Sequence, residues 1–374
     1  MHKKPEKTKW GSTFTGPLSK GCRQCISGEK LVVLVSTECS SNCFYCPLSN
    51  ERKEANTSFA NERPFTNVAD LLVEALNMKA KGASMTGGDP LEVHSFNKTL
   101  SYCKALKEQF SSDFHIHAYT RGKDLNKELL TRITPFLDEI RFHAINFKKD
   151  FPIIQLTTEF DIDVGIEIPV IPTKGINHYK KLIQEFESFI PQKDHFYFIN
   201  LNELEISETN YRNILSHKLE IDNINLSAVK DSSNLAIKIV EWATQNTGIP
   251  VHYCALATKD NVQLPNRLFR IAMNTKLPSD VVVEEGTDRG LLIRGVIKGS
   301  GYDLEEVKQF LVFEADVPAY LVHIDYQNNR LLTNAALLEE ISEDVIAKFP
   351  KMQLGMAEEY PSYDNLQTTF IPFI

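Results

Sequence analysis

The chain has 374 residues, a formal net charge of −8 at pH 7 and 42% hydrophobic residues. A chain of this length buries a large core and has room for one large domain and a smaller one. Its acidic balance disfavours general nucleic-acid binding, which depends on Lys and Arg that neutralise phosphates. No apolar run approaches the roughly 18 residues of a membrane helix, and no apolar signal region follows the lysine-rich start. We therefore expect a cytoplasmic protein without a membrane partner.

The first 24 residues carry a basic cluster, which overlaps a pair of cysteines at Cys22 and Cys25. The basic residues are Lys3, Lys4, Lys7, Lys9, Lys20 and Arg23. Such a cluster is usually a solvated arm, and its alternative use is contact with RNA. Residues 1–29 are accordingly predicted to be an N-terminal arm that carries the Cys22-x-x-Cys25 pair.

A short apolar strand followed by an amphipathic helix recurs six times in the next part of the chain. The predicted strands are Lys30–Ser36, Ala83–Thr86, Phe114–Thr120, Glu139–Ile145, Val164–Ile171 and His195–Leu201. Strands that alternate with helices form a parallel sheet with right-handed crossovers. Six units favour an α/β fold built as a partial (β/α)6 barrel, with an open sheet as the alternative. In both, ligands bind at the carboxyl ends of the strands.

The pattern changes in the second half of the chain. From about Asn202 to Thr275 the repeat is less regular, with one clear helix around Asn234–Ala243. After Asp280, a hairpin, two helices and a further strand indicate a small α+β domain. The predicted domains are therefore the arm at 1–29, the barrel with its extension at 30–275, and a small domain at 280–374.

Seven cysteines are unevenly spaced along the chain. An odd number in a protein expected to be cytoplasmic favours metal ligation over a disulfide framework. Cys39, Cys43 and Cys46 follow the first strand with C-x3-C-x2-C spacing, which lets one short loop surround a 4Fe–4S cluster with three thiolates. The fourth iron then stays open to another ligand. Zinc is less favoured because it usually takes four ligands in paired C-x2-C spacing.

A glycine-rich turn follows the second predicted strand. Its sequence is Gly87-Gly88-Asp89-Pro90. Paired glycines let backbone carbonyls approach a ligand closely, because no Cβ intervenes. Such a turn is common, but its position one strand after the cysteine loop favours a ligand-binding role.

Together, the cysteine loop, the Gly-Gly-Asp-Pro turn and the six-unit repeat resemble the radical S-adenosylmethionine superfamily. The likeness covers roughly the first 200 residues and is strongest to archaeal-type, uncharacterised proteins related to pyruvate formate-lyase activating enzymes. It implies a 4Fe–4S cluster that binds S-adenosylmethionine and cleaves it reductively to a 5′-deoxyadenosyl radical. It also implies a low-potential electron donor such as ferredoxin or flavodoxin.

The resemblance also assigns cofactor-binding residues. Tyr45 stands where family members have an aromatic residue that contacts adenine. The Gly-Gly-Asp-Pro turn matches a Gly-Gly-Glu-Pro motif that binds the methionine amino group, although Asp89 is shorter than the usual Glu. Thr120 and Glu167 lie where the family binds the ribose and carboxylate. A charged residue in an apolar strand also needs a buried partner, which singles out Glu167 independently. The implied set is Tyr45, Gly87, Gly88, Asp89, Pro90, Thr120 and Glu167.

The other cysteines allow a second metal site. Cys22, Cys25 and Cys254, with His252 as a further candidate, are enough for a zinc site or an auxiliary iron–sulfur cluster. The alternative is that they are unrelated reduced thiols. Cys103 lies on the apolar stripe of a predicted helix and is expected in the core.

These residues predict an enzyme that abstracts hydrogen from an unidentified substrate in biosynthesis or modification. The first alternative is modification of a macromolecule, which is either a protein, including a glycyl radical enzyme, or tRNA contacted by the basic arm. The second is a non-catalytic iron–sulfur or zinc protein.

Overall fold

The computed structural model describes residues 4–144, 146–191 and 195–373. The chain forms two compact units, Met1–Leu76 with Ala80–Gln263 and Asn77–Lys79 with Leu264–Ile374. Within the described residues, no helix is both long and apolar enough to cross a membrane.

In the first unit, the described residues form an eleven-stranded sheet. Its strands are β1 (Glu6–Lys7), β2 (Thr13–Thr15), β3 (Lys30–Ser36), β4 (Ser58–Ala60), β5 (Arg63–Phe65), β6 (Gly82–Gly87), β7 (His115–Thr120), β8 (Glu139–Phe142), β9 (Asp163–Val170), β10 (Tyr197–Glu203) and β11 (Val251–Cys254). The spatial order is β1-β2-β11-β10-β9-β8-β7-β6-β3-β4-β5. Neighbours from β3 through β6 to β11 are parallel, and antiparallel strands extend both edges.

The parallel sheet confirms the predicted α/β class. It has one more parallel strand than the sequence pattern predicted. The sequence pattern predicted six parallel strands, whereas β11 pairs with β10 as a seventh. It was missed because it has only four residues, too few for a clear period, and follows a long irregular segment. Ile145, assigned to the fourth predicted strand, lies outside the described residues, and β8 ends at Phe142. Closure into a partial barrel stays a prediction.

The helices of the first unit follow the strands in alternation. They are α1 (Lys20–Ile26), α2 (Asn50–Glu54), α3 (Val68–Asn77), α4 (Val93–Phe110), α5 (Lys127–Ile133), α6 (Phe147–Thr157), α7 (Gly175–Phe189), α8 (Tyr211–Ser216), α9 (Ser232–Asn246) and α10 (Leu256–Thr258). Short 3₁₀ turns occupy Thr134–Phe136 and Pro172–Lys174, and a π-helical turn occupies Lys259–Gln263. On α7 the buried residues Tyr179, Leu182, Ile183 and Phe186 form one helical stripe, which explains why this segment is an amphipathic helix.

One face of the parallel sheet is polar, and α1 lies against it. Alternate residues His115 and His117 on β7, and Glu139 and Arg141 on β8, share this face because side chains repeat with a period of two. A Cβ at Gly21 would overlap the Arg141 and His117 side chains. Glycine at this position therefore lets α1 approach the sheet closely.

The second unit has its own antiparallel sheet. Its strands are β12 (Val281–Val282), β13 (Leu292–Gly299), β14 (His323–Asp325), β15 (Arg330–Thr333), β16 (Met352–Glu359) and β17 (Gln367–Pro372), and its helices are α11 (Leu264–Thr275), α12 (Leu304–Phe313), α13 (Ala335–Glu340) and α14 (Ser342–Lys348), with a 3₁₀ turn at Ala319–Leu321. The strand order is β14-β15-β13-β16-β17, and β12 pairs with β13. Arg294 and Arg330 both bond the buried carboxylate of Glu359, which gives that charge the partners it needs.

Candidate functional site

The cysteine loop begins at the carboxyl end of β3, and its first half is fixed through Ser40. The Ser40 amide donates to Glu92 Oε2 at 2.9 Å, and its hydroxyl donates to Glu92 Oε1. Lys123 Nζ donates to the Ser40 carbonyl at 3.1 Å and contacts its hydroxyl at 2.9 Å. Glu92 is almost fully buried. Ser40 therefore joins the loop to the start of α4 and to the segment that follows β7.

The second half of the loop is fixed through Tyr45. The Tyr45 hydroxyl lies 2.8 Å from His143 Nε2, just beyond the carboxyl end of β8. The Tyr45 carbonyl accepts a hydrogen bond from Asn210 Nδ2 at 3.0 Å. On its other side, His143 Nδ1 lies 3.1 Å from the Glu167 carbonyl oxygen. Side chain and backbone of Tyr45 are thus held from two directions.

The segment between β10 and α9 packs against the cysteine loop. The rings of Phe44 and His217 stack with centroids 3.8 Å apart. Phe44 and Tyr45 also pack against an apolar cluster formed by Ile171, Leu204, Ile214, Leu219 and Val229. This segment shields one side of the loop from solvent. Its importance was missed from the sequence because it shows no regular periodicity.

The three cysteines share this anchored loop. Cys39 is exposed, whereas Cys43 and Cys46 are half-buried. The Cys46 amide donates to the Cys43 carbonyl at 3.0 Å, and the Ser41 amide donates to Cys39 Sγ at 3.4 Å. Burial raises the pKa of Cys39 and of Cys43, so binding a metal requires displacement of their thiol protons. Among the described residues, no three His, Cys, Asp or Glu side chains are already arranged around a common metal position.

The Gly-Gly-Asp-Pro turn lies directly against the start of the cysteine loop. The Gly88 amide donates to the Ser36 carbonyl at 2.7 Å, and the Asp89 amide donates to the Glu38 carbonyl at 3.2 Å. A Cβ at Gly87 would overlap the Ser36 carbonyl oxygen, and one at Gly88 would overlap the Glu38 carbonyl oxygen. Gly87 also has a φ of +124°, a conformation that favours glycine. Both glycines are therefore required for this close approach.

Asp89 is buried and bonded within the protein. Its Oδ1 accepts from the Leu91 amide at 3.0 Å, and its Oδ2 accepts from the Thr120 hydroxyl at 3.1 Å and the Arg121 amide at 2.7 Å. Burial raises the pKa of Asp89, while these hydrogen bonds oppose the rise. Asp89 and Thr120, both predicted near the cofactor, are thus bonded to each other. The short Asp side chain fits because its partners are already adjacent.

Glu167 has the buried partner that its position in an apolar strand requires. Arg141 Nη1 donates to Glu167 Oε2 at 2.7 Å, and the amides of Asn200 and Asn202 donate to the carboxylate at 2.9 and 3.0 Å. Burial alone would raise the pKa of Glu167, but the Arg141 charge and these amides lower it overall. Glu167 is therefore an ionised group at the centre of a hydrogen-bonded network on the polar face of the sheet.

The other candidate ligands lie within the same unit, bonded to protein groups. Cys22 Sγ accepts from Asn200 Nδ2 at 3.2 Å, and Gln263 Nε2 donates to Cys254 Sγ at 3.6 Å. His252 Nδ1 lies 3.3 Å from Asn200 Oδ1. Burial raises the pKa of Cys25 to about 11 and of Cys254 to about 12, so both are thiols at neutral pH. The described residues are not arranged here as a metal site, and both a second metal site and its alternative, unrelated reduced thiols, stay predictions.

A cavity of about 280 Å³ adjoins the cysteine loop. Its lining residues are Ser40, Ser41, Asn42, Cys43, Phe44, Tyr45, Arg121, Lys123, Ile171 and Lys174. Three of these are cations and none is an acid, although the chain as a whole is acidic. Arg121 also pairs with Asp150 at 3.4 Å. The cationic residues were missed from the sequence, yet their signal was their place just after the carboxyl ends of β7 and β9.

These residues fit a 4Fe–4S cluster with one open iron. Three thiols on one loop supply the donor set, and the backbone on each side of Cys43 is held in place by Ser40 and Tyr45. Gly87 and Gly88 let their turn pack directly against the start of this loop, where any side chain would overlap its carbonyl groups. The cations beside Cys43 offset the negative charge that coordinated thiolates carry.

Comparison with known proteins gives one informative relationship. The chain matches no protein-family model. It is similar to a curated protein of Methanocaldococcus jannaschii that is provisionally named glycyl-radical enzyme activating enzyme, with 33% identity over 371 residues. The similarity covers 96% of this chain and 93% of that protein, so it extends far beyond the cysteine loop.

Proposed function

Because the chain belongs to the glycyl-radical enzyme activating enzymes, radical S-adenosylmethionine enzymes related to pyruvate formate-lyase activating enzyme, we propose that it generates a 5′-deoxyadenosyl radical and abstracts hydrogen from a substrate. The observation that carries this proposal is the anchored three-cysteine loop, which lies against the Gly-Gly-Asp-Pro turn at the carboxyl end of β3. Ligands bind at this end of parallel strands.

A 4Fe–4S cluster on Cys39, Cys43 and Cys46, when bound, supplies an open iron for S-adenosylmethionine and the electron that cleaves it. Ser40 and Tyr45 hold the loop that carries these cysteines. The segment between β10 and α9 limits access of water from one side, through the stacking of Phe44 on His217. The electron comes from a low-potential donor such as ferredoxin or flavodoxin.

We assign S-adenosylmethionine to the cavity beside Cys43. Tyr45 lines this cavity, and Arg121, Lys123 and Lys174 give it a positive potential that suits a carboxylate. We assign the methionine amino group to the backbone of Gly87 and Gly88, a proposal supported by the contact of this turn with the cysteine loop.

The remaining residues predicted to bind the cofactor act on the cavity indirectly. Asp89, followed by Pro90, fixes Thr120 and the Arg121 amide. Glu167 fixes His143 through its backbone carbonyl. These residues shape the cofactor site through their neighbours in this proposal.

For the substrate we favour a protein, in particular a glycyl radical enzyme, over a small molecule or tRNA. The support is the name of the relative, which describes activation of a glycyl radical enzyme. The net charge of −8 gives no support to tRNA. Incubation of the reduced enzyme with a glycyl radical enzyme should produce a backbone radical detectable by electron paramagnetic resonance.

The central test is anaerobic reconstitution with iron and sulfide, followed by incubation with S-adenosylmethionine and dithionite. 5′-Deoxyadenosine should form in the wild type and be abolished when Cys39, Cys43 and Cys46 are all replaced by Ala. Cys103→Ala is the matched control, because Cys103 is fully buried in the helical core on α4. Cleavage that persists in the triple variant contradicts the proposal, and a content of one zinc with no iron supports the non-catalytic alternative.

A further inference from the structure

His143 joins the cysteine loop to the sheet, and the directions of its hydrogen bonds follow from its partners. Its Nδ1 lies 3.1 Å from the Glu167 carbonyl oxygen, which only accepts hydrogen bonds. Nδ1 therefore carries a proton. In a neutral imidazole the other nitrogen is then an acceptor, so the Tyr45 hydroxyl donates to Nε2 across 2.8 Å. Burial lowers the pKa of His143 to about 4, which agrees with a neutral ring.

Tyr45 is the link between this pair and the cavity. Its ring lines the cavity beside Cys43, while its hydroxyl contacts His143 Nε2 and also lies within hydrogen-bonding reach of the Cys43 thiol. The Tyr45 carbonyl is held separately by Asn210. The backbone is thus fixed without His143, whereas the hydroxyl bond restrains the ring in addition to its packing on Phe44 and the apolar cluster. Loss of that bond weakens this restraint and lets the cavity wall change shape.

We propose that His143 is a positioning residue that acts through Tyr45 to hold the cavity wall against which S-adenosylmethionine binds. This inference rests on the proposed function of the cavity. Both ring nitrogens of His143 already have partners within the protein, so the residue contributes to binding without touching the cofactor.

The test measures S-adenosylmethionine affinity of the reconstituted, cluster-loaded protein by equilibrium dialysis. Tyr45→Phe removes the hydroxyl, His143→Leu removes both bonds of the imidazole, and the double variant removes the pair. His143→Gln keeps an amide oxygen that accepts from Tyr45. Tyr102→Phe is the matched control, because it removes another buried hydroxyl, bonded to Ser58 at 3.0 Å and outside the cavity lining.

We expect Tyr45→Phe and His143→Leu each to raise the Kd about five- to tenfold, because both remove the buried hydrogen bond between Tyr45 and His143. The double variant should bind no more weakly than the weaker of the two single variants, because the bond that joins the pair can be lost only once. His143→Gln should stay near the wild type. Iron content should be unchanged in all of them, and the resonance spectrum of the reduced cluster without S-adenosylmethionine should be unchanged in the two single His143 variants.

Other results overturn the inference. Wild-type affinity in His143→Leu, or a double variant whose loss is the product of the two single losses, shows that His143 does not act through Tyr45. If His143→Leu does not fold, the pair Tyr45→Phe and His143→Gln decides, and equal affinity in these two contradicts the inference. A wild-type protein that loads four irons but does not bind S-adenosylmethionine instead refutes the proposed function, and this inference with it.

Discussion

Ser40 and Glu92 are joined by two hydrogen bonds, from the serine amide at 2.9 Å and from its hydroxyl, although 52 residues separate them. This pairing connects the residue after Cys39, the first of the three cysteines proposed to hold the cluster, to the helix that follows the glycine turn. The buried Glu92 carboxylate also needs these donors, because an unpaired buried charge is costly.

Glu92→Ala should therefore impair cluster loading. The Ser40 amide loses its acceptor, and the first half of the loop loses an anchor, at a cost of about 1–3 kcal/mol. We expect reconstituted iron to fall below half of the wild-type content, with Glu92→Gln intermediate because it keeps one acceptor oxygen. Glu128→Ala, at an exposed site on α5, is the control. Full iron content in Glu92→Ala would show that Ser40 does not need this anchor.

Gly88→Ala should disrupt the site more severely than a Gly→Ala substitution at a glycine without close neighbours. The new Cβ would overlap the Glu38 carbonyl at the start of the cysteine loop, so the turn or the loop must shift. We expect loss of both cluster loading and 5′-deoxyadenosine formation. Gly248→Ala is the matched control, because the nearest atom to its Cβ, at 3.5 Å, is in ordinary contact. Normal activity in Gly88→Ala contradicts the close packing described for this turn.

Replacing Asp89 by the Glu that is usual in the family should lower both the stability of this protein and its affinity for S-adenosylmethionine. Asp89 is 2% exposed and all three of its partners are already in contact, so an extra methylene has no space. Overpacking of this kind costs about 1–3 kcal/mol. We expect Asp89→Glu to unfold at lower urea concentration and to bind S-adenosylmethionine less tightly. Greater stability or tighter binding would instead indicate a direct side-chain role at this position.

Lys30 should make stability depend on pH. Its amino group is buried beside His115, with Nζ 2.8 Å from Nδ1, and burial lowers its pKa to about 7. The unfolded chain holds this proton up to about pH 10.5, so between the two values unfolding takes up a proton and stability rises with pH. Wild-type stability relative to Lys30→Met should therefore increase from pH 7 to pH 9.5, by up to a few kcal/mol.

Urea unfolding of both proteins at these two pH values measures this effect. Titrating groups that do not interact with Lys30 contribute equally to the wild type and the variant, so they cancel in the difference between the two. Lys127→Met, an exposed lysine on α5, should show no such dependence. A wild-type-minus-variant difference that stays constant with pH would mean that Lys30 is charged in the folded protein.

Replacing Cys22, Cys25 and Cys254 should not change the iron content of the protein. Cys22 is bonded to Asn200, Cys254 to Gln263, and both are buried thiols. We expect about four irons per chain, as for one cubane, in the wild type and in a variant with Cys22, Cys25 and Cys254 all replaced by Ala. Elemental analysis with a sulfide assay checks this. About eight irons in the wild type and four in the variant would establish an auxiliary cluster.

The sequence was most informative where a chemical requirement is local. β3 is a continuous apolar run, and the spacing of Cys39, Cys43 and Cys46 needs no knowledge of the rest of the chain. The ion pair of Glu167 could be anticipated in kind, because a carboxylate in an apolar strand needs a partner. Its identity as Arg141 could not, because that depends on the register of β8 against β9.

Long-range polar contacts account for most of what was missed. Ser40 with Glu92 and Tyr45 with His143 join residues 52 and 98 positions apart, and each partner alone is an ordinary polar residue. Comparison with the longer Glu of the family could not predict the partners of Asp89. Its carboxylate accepts hydrogen bonds from Thr120 and Arg121, which lie beside it. β11 has only four residues but is paired on both sides, so neighbouring strands supply stability that its own short sequence does not indicate.

The position of α1 against the polar face of the sheet affects the order in which the protein folds on the ribosome. Ser19 and Cys22 emerge early, but Arg141 and Asn200, which bond them, are synthesised more than 110 residues later. Contacts this distant in sequence slow folding, because a long chain must be brought together first. α1 therefore cannot complete these contacts until β8 and β10 have been synthesised, and until then Cys22 lacks the partners that surround it in the folded protein.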